Sequence, residues 1–459
     1  MLLGLLLGLV CALGLLRDAS GFDGLGARTS EVSATSDLYY RLNDMDAQAA
    51  NALLVGYHPA DPASVPTAVD AAASDAVYER DRSAADTDLG VIARNPALTA
   101  QASRLLDALG GYEALIAQAL YIDQNTEKEV PATPPSGALS LYTKASTQLH
   151  DALLPDAQAI TQTDGDAVDS SYSSDHSAIS AFGYVILALA LVVTLALYLG
   201  NRYTARRFRR RLGLLAVGMV ISLALGFIGL ATQLSAAGRL QVAKQDAYDS
   251  IYALDRAQAV SDDANADESR WLLEGRGDAL QSSYFQQAEA VGGVPDVSAD
   301  QAASDPASYY IGLSSAVGDL RLDAADGTVS GVSLTGFLGS ELRNVTFPGE
   351  AQAAFDAAKA FDVYVQDDQK IRQDVDSGNL PGAVSVDIGL QPGQSNHDFD
   401  AYTTALGSVI QINTEHFDNA VAAGHGDAGA GTWATVLLGE LLLLLCIGQA
   451  GHLRLREYR

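Results

Sequence analysis

The chain has 459 residues, with 28 basic against 56 acidic side chains and a formal charge of -28. So large an acidic excess excludes nucleic acid as a natural partner, because phosphates would be repelled rather than neutralised. Hydrophobic residues nevertheless make up 48% of the chain, and they gather into long runs that point to a membrane protein.

Four apolar runs are legible, at 1–16, 178–200, 212–234 and 432–451. About 20 apolar residues cross a bilayer core as a helix, and the last three runs meet that length. The first is short and has no basic residue before it, whereas a secretory signal opens on a positive region. The reading favours a recorded start inside the first membrane helix over an atypical signal anchor. Between the second and third runs lies the loop 201–211, which holds Arg202, Arg206, Arg207, Arg209, Arg210 and Arg211. The tail 452–459 adds Arg454, Arg456 and Arg459. Short Arg-rich segments stay on the cytoplasmic side, so the loop and the tail face inward, and both long polar regions, 17–177 and 235–431, lie outside. Those two regions hold nineteen basic against fifty-four acidic side chains, a net charge of -35. The protein is therefore expected in the plasma membrane as a multi-pass chain. Both cysteines, Cys11 and Cys446, fall in membrane runs, so the polar regions must hold together by packing rather than by disulfides. Abundant Ala, Gly and Asp, with Arg preferred over Lys, suit a GC-rich genome such as that of an actinobacterium.

Within the polar regions apolar positions recur at three and four, over Val77–Arg94, Pro96–Gln124 and Ala351–Val375, which predicts helices. Breaks fall at His58–Pro66, Asn95-Pro96, Pro131–Gly137, Gly292–Pro295 and Asn379–Gly382. The fold class expected is an all-α membrane protein, with four transmembrane helices and two tandem extracytoplasmic helical bundles. The first and last helices of each bundle continue into the membrane. Residues 320–350 exceed a simple bundle connection and predict an insertion, with strand-like alternation from Gly327 to Phe347. The two halves also resemble each other. Asp37-Leu38-Tyr39-Tyr40-Arg41-Leu42 parallels Asp249-Ser250-Ile251-Tyr252-Ala253-Leu254, and Leu53-Leu54-Val55-Gly56 parallels Leu272-Leu273-Glu274-Gly275. The offset grows from 212 to 219, seven residues or about two helical turns, so a duplication would keep one helix face toward the core.

No nucleotide loop, metal-ligand spacing or nucleophile elbow is present in the sequence, which predicts a protein without catalytic activity or cofactor. His397, Asp398, Asp400 and His416 read as solvated helix-face residues, and His425 with Asp427 as a polar hinge outside the fourth span. Glu440 stands out because it falls near the middle of an apolar run. A carboxylate at that depth must be protonated, paired or facing a polar cavity; its bland reading is a hydrogen bond with Ser222 or Gln449. Small residues recur every four positions at Gly4, Gly8 and Ala12, and at Gly218, Ser222 and Gly226. Such stripes suit close helix packing, within the chain or in a homodimer. The Arg loop is explained by orientation alone; it also suits anionic lipid headgroups of the bilayer or an acidic cytoplasmic partner.

Only the eleven-residue loop and the tail reach the cytoplasmic side, so an output domain has no room there. Four membrane helices, two helical outer regions, a basic inner turn and the missing output domain together resemble the GlnX-like family of actinobacterial membrane signalling proteins. That resemblance covers the whole chain and rests on its layout. It implies a relay in which an amino-acid-binding lipoprotein senses outside and the serine/threonine protein kinase G responds inside. The alternative classes are an accessory subunit of an envelope transport or cell-wall machine, and a structural scaffold.

Overall fold

The computed structural model describes residues 1–58, 71–127, 132–208, 212–323 and 325–456. Helix makes up 85% of the chain, in agreement with the all-α expectation. The chain divides into two compact units: Met1–Thr29, Asp166–Tyr248 and Glu415–Arg459 form an apolar unit, and Ser30–Gly165 with Asp249–Thr414 form a polar one.

Four helices are long and apolar enough to cross a membrane, and the first three extend past their apolar runs. They are α1 (Leu2–Val55), α5 (Leu154–Phe208), α6 (Gly213–Gln241) and α15 (Ala430–Arg456). Short π-helical turns, Leu149–Leu153 before α5 and Val242–Tyr248 after α6, extend two of them, as the predicted continuity requires. Leu7, Cys11, Ile186, Ala190, Leu225 and Leu443 form the core of the apolar unit. Leu5, Leu9, Leu191, Leu195, Phe227 and Leu441 point outward, as side chains facing hydrocarbon should.

Close approach in this unit runs through the small residues. A Cβ on Gly226 would lie 2.5 Å from the Ala190 Cβ, and one on Gly229 would lie 2.6 Å from Ile186. Gly218 faces Leu197 and Leu443, and Ser222 bonds to Thr194 at 2.5 Å and to the Ala190 carbonyl at 3.2 Å. This stripe is therefore taken up inside the chain. Gly226→Ala should lower the unfolding midpoint of the detergent-solubilised protein by the equivalent of about 1–3 kcal/mol, because Ala190 has no flexible end to yield. Gly238→Ala, in open space on α6, should leave the midpoint level or raise it. Equal effects at the two sites would refute the packing role.

In the polar unit α2 (Ala71–Ile92), α3 (Thr99–Gln124) and α12 (Glu350–Asp376) lie where the periodicity placed helices. The Asn379 side chain accepts from the Gly382 N–H and caps α13 (Leu380–Asp387), which accounts for that break. The insertion forms a small antiparallel hairpin, Arg321–Asp323 with Thr328–Ser330, followed by α11 (Gly336–Arg343). Regular strand therefore stops at Ser330, apart from one isolated bridge between Thr335 and Gly293, and helix replaces the predicted alternation from Gly336 to Arg343.

The two polar regions, expected as separate bundles, share one unit and one of its cores. Trp271, Leu272, Ile371, Val384 and Ile388 of the second region pack in the same cluster as Leu53, Leu109, Ile116 and Tyr142 of the first. A second cluster, around Tyr284, Phe285, Tyr309, Phe361 and Tyr402, belongs to the second region alone. The two leucine pairs noted in the sequence lie at the ends of α1 and α7 (Asp249–Leu273), each followed by a glycine of positive φ, Gly56 at 73° and Gly275 at 90°. Only glycine takes that backbone without strain, so the same stop is encoded twice.

Candidate functional site

The polar unit is organised around the C-terminal half of α7. Asp262, Asp263, Asp267, Glu268 and Arg270 are all buried there, although the helix has the composition of a surface element. Buried charge of this density is costly unless paired, so its arrangement marks the candidate site.

Arg270 is 2% exposed and gathers three carboxylates. Its Nη2 lies 2.8 Å from Asp263 and 2.7 Å from Asp267, and its Nη1 lies 3.6 Å from Asp46 on α1. Asp46 accepts in addition from the Tyr112 and Tyr142 hydroxyls, both at 3.2 Å, and from Ser146 at 3.1 Å. His150 sits in the π-helical turn that follows α4 (Ser136–Gln148), where the widened helix carries its ring to Asp263 at 3.2 Å and to Arg270. Burial opposes charge on His150, but the bond to Asp263 outweighs it and raises the imidazole above its usual range. Asp263 is lowered in turn: burial raises it, and the bonds from His150 and Arg270 overcome that. Asp267 is pushed up to about 6 by burial, with Arg270 opposing.

A second arginine, Arg372 on α12, bonds to Asp368 at 2.9 Å and to Gln281 at 3.0 Å. It stacks on Trp271, 4.5 Å from the ring centre, and on Phe285 at 5.0 Å. Arg270 and Trp271, neighbours on α7, thus serve two different charged groups. Ser269 donates to Asn51 at 2.8 Å and to Asp387 at 3.1 Å.

Beside this network lies a cavity of about 230 Å³ lined by α1, α2, α7 and α14 (Ser395–Asp427). Asp44, Asp262 and Asp400 face it, together with the Tyr40 and Phe399 rings and the Asn265 amide. Burial, then the Asp81 carboxyl, raises Asp44 to about 7. Burial raises Asp262 well above the carboxylate range, and Asp44, Asp263 and Asp400 add to the effect.

The residues singled out in the sequence fall elsewhere. In the apolar unit Gly4 and Gly8 lie against Glu440: a Cβ on Gly8 would come within 2.7 Å of the Glu440 Cγ, and one on Gly4 within 3.5 Å of Oε1. Two separate sequence features, the acid within an apolar run and the first small stripe, therefore meet. Both Glu440 oxygens lack a hydrogen-bond partner among the described residues, and Ser222 is committed to Thr194. Ala12 is half-buried on α1. Arg202, Arg206 and Arg207 are in the last turns of α5, and all three are exposed. Arg454 and Arg456 lie in the last turn of α15, and Arg209, Arg210, Arg211 and Arg459 fall outside the described residues. Asp427 pairs with Arg239 at 2.7 Å, while His425 lies 3.5 Å from Asp23 and against Phe22. His397 pairs with Asp398 at 2.9 Å, and no cluster of His, Cys and acidic side chains among the described residues could hold a metal.

The sequence reading missed Arg270, His150 and the cavity. One signal lay in the likeness of the two segments before the leucine pairs, where an offset of 219 sets Asp44 against Asp263 and Ala47 against Ala266.

Residues 21–173 match the family model of an actinobacterial sensor domain. No curated protein and no solved structure matches the chain. The match covers Asp44, Asp46, Tyr112, Tyr142 and His150, so the first-region half of the charged site falls within the sensor-like segment, and it supports a sensing and signalling role.

Proposed function

We propose that this is a non-catalytic transmembrane relay, with the polar unit outside the cell reading an amino-acid-binding lipoprotein and the basic loop inside informing a serine/threonine kinase. The observation that carries the reading is helical continuity. Asp44 and Asp46 ride on the same 54-residue helix as Gly4 and Gly8, and His150 lies on the helical stretch that ends at Arg207. A helix transmits a small shift or rotation only where its packing has two arrangements of similar energy. The three acids around Arg270 and His150 provide more acceptors than cations, so pairings can be exchanged at small cost. A partner that prefers one pairing shifts the population.

Replacement of Arg202, Arg206 and Arg207 by Gln leaves Arg209, Arg210 and Arg211 to hold the orientation. In cells given aspartate or glutamate, kinase-dependent phosphorylation should then fall several-fold, at unchanged membrane abundance. An undiminished response would remove the loop from the mechanism. Co-purification of a binding lipoprotein and a kinase supports the relay; recovery of an ATPase or wall enzymes in their place overturns it.

A further inference from the structure

We infer that the cavity between α1, α2, α7 and α14 is a binding site for a small organic cation, a compound bearing a protonated amine. The inference is independent of the relay, since it concerns what the polar unit itself can hold.

Three carboxylates face the cavity, and the nearby cations are already engaged: Arg41 lies 3.0 Å from Asp81, and Arg80 is held as well. Its guanidinium lies 3.1 Å from Asp81 and 3.7 Å from Asp44, and its side chain is 62% exposed. Asp262 is the decisive residue. It is 4% exposed, lines the cavity, and its Oδ2 is sealed from solvent without a hydrogen-bond partner. A buried acceptor left open in this way costs free energy until a donor arrives. A positive donor is favoured over a neutral one, because Asp44, Asp263 and Asp400 act on Asp262 with the same sign of charge and Arg41 alone opposes them.

Two observations select an organic cation over a metal ion. No trio of acidic or imidazole groups among the described residues converges closely enough to ligate a metal. The acids are instead spread around a volume of about 230 Å³, the space of several waters, which suits a polyatomic guest with donors at more than one point. The walls agree. Tyr40 and Phe399 present aromatic surface, which attracts ammonium groups through the ring quadrupole. Asn265 and Asn396 offer amide oxygens to N–H donors. A compound carrying a free carboxylate would meet the acids and be repelled.

The test uses the full chain in nanodiscs and titration calorimetry with four probes: 1,4-diaminobutane, ethylammonium, glutamate and calcium. Saturable binding of an amine probe is expected, with glutamate and calcium silent. Asp262→Asn should weaken that binding at least tenfold; it keeps the shape of the side chain, so the variant should remain folded, as its melting curve will show. Asp400→Asn, at an exposed position, should weaken binding several-fold and guards against a fold artefact. Asp323→Asn in the exposed hairpin should bind as the parent does. Absence of saturable amine binding at millimolar concentration overturns the inference. So does amine binding indifferent to Asp262→Asn, or equal binding of glutamate or calcium.

Discussion

Arg270→Ala should destabilise the polar unit by about 3–5 kcal/mol, the cost of leaving a buried ion cluster without its cation. Arg270 is the common partner of Asp46, Asp263 and Asp267, and all three are nearly sealed from water. Without it, His150 alone remains to balance Asp263, and Asp267 is left without a cation in a medium that solvates it poorly. The folded-state affinity of Asp267 for a proton, already raised by burial, then rises further. Such acids stay protonated in the fold at a pH where the unfolded chain has released its protons, so the variant gains stability as pH falls toward about 4. Melting curves of the purified protein at pH 7.5 and 5 should therefore show a large deficit at the higher pH and a smaller one at the lower. A deficit independent of pH would mean that lost packing, not unpaired charge, is the cause. Arg270→Lys keeps the charge but cannot fork between Asp263 and Asp267, so it should recover only part of the loss.

The second large effect is expected to have the opposite sign. Glu341 on α11 is 5% exposed and faces Glu350, the first residue of α12. Glu350 is fully occupied: it accepts the Thr346 and Phe347 N–H groups and the Asn413 amide. Burial, and then the Glu350 charge, raise Glu341 from its ordinary 4.5 to about 8. Between those values the folded chain holds a proton that the unfolded chain has released. Stability therefore falls as pH rises through this window, by at most about 1.4 kcal/mol per pH unit. Glu341→Gln keeps the shape and removes the titration. It should match the parent near pH 4.5 and exceed it in unfolding midpoint at pH 8.5. A variant that is no more stable than the parent at pH 8.5 would contradict the pairing of these two acids.

The four spans were legible because a bilayer imposes a length and a polarity on each helix separately. Glu440 was legible as an anomaly for the same reason, but its contact with Gly8 was not. Hydropathy says what a helix face avoids and leaves open which neighbour meets it. The polar unit hid more. Residues 261–273 are acidic and polar enough to read as solvated, and burial came from partners more than a hundred positions away, such as Asp46 and His150. Likewise, two regions of similar pattern suggested two bundles, because a repeated helix plan does not reveal that Trp271 and Ile371 complete the core begun by Leu53 and Tyr142. The glycine stops at Gly56 and Gly275 were readable locally, since a positive φ is a property of one residue.

The shared core sets an order of events during synthesis. When residue 165 has emerged, the first polar region still lacks Trp271, Ile371, Val384 and Ile388, all of which line its main cluster. Asp46 is present but its arginine is not. The apolar unit waits longer still, because Gly8 meets a residue on the last helix. Neither unit can close until most of the chain has left the ribosome, and long-range closure of this kind is slow. A truncated or stalled product would leave open apolar surface, which makes incomplete chains prone to aggregate and in need of chaperones. Completion of translation is thus written into the fold as a condition for stability.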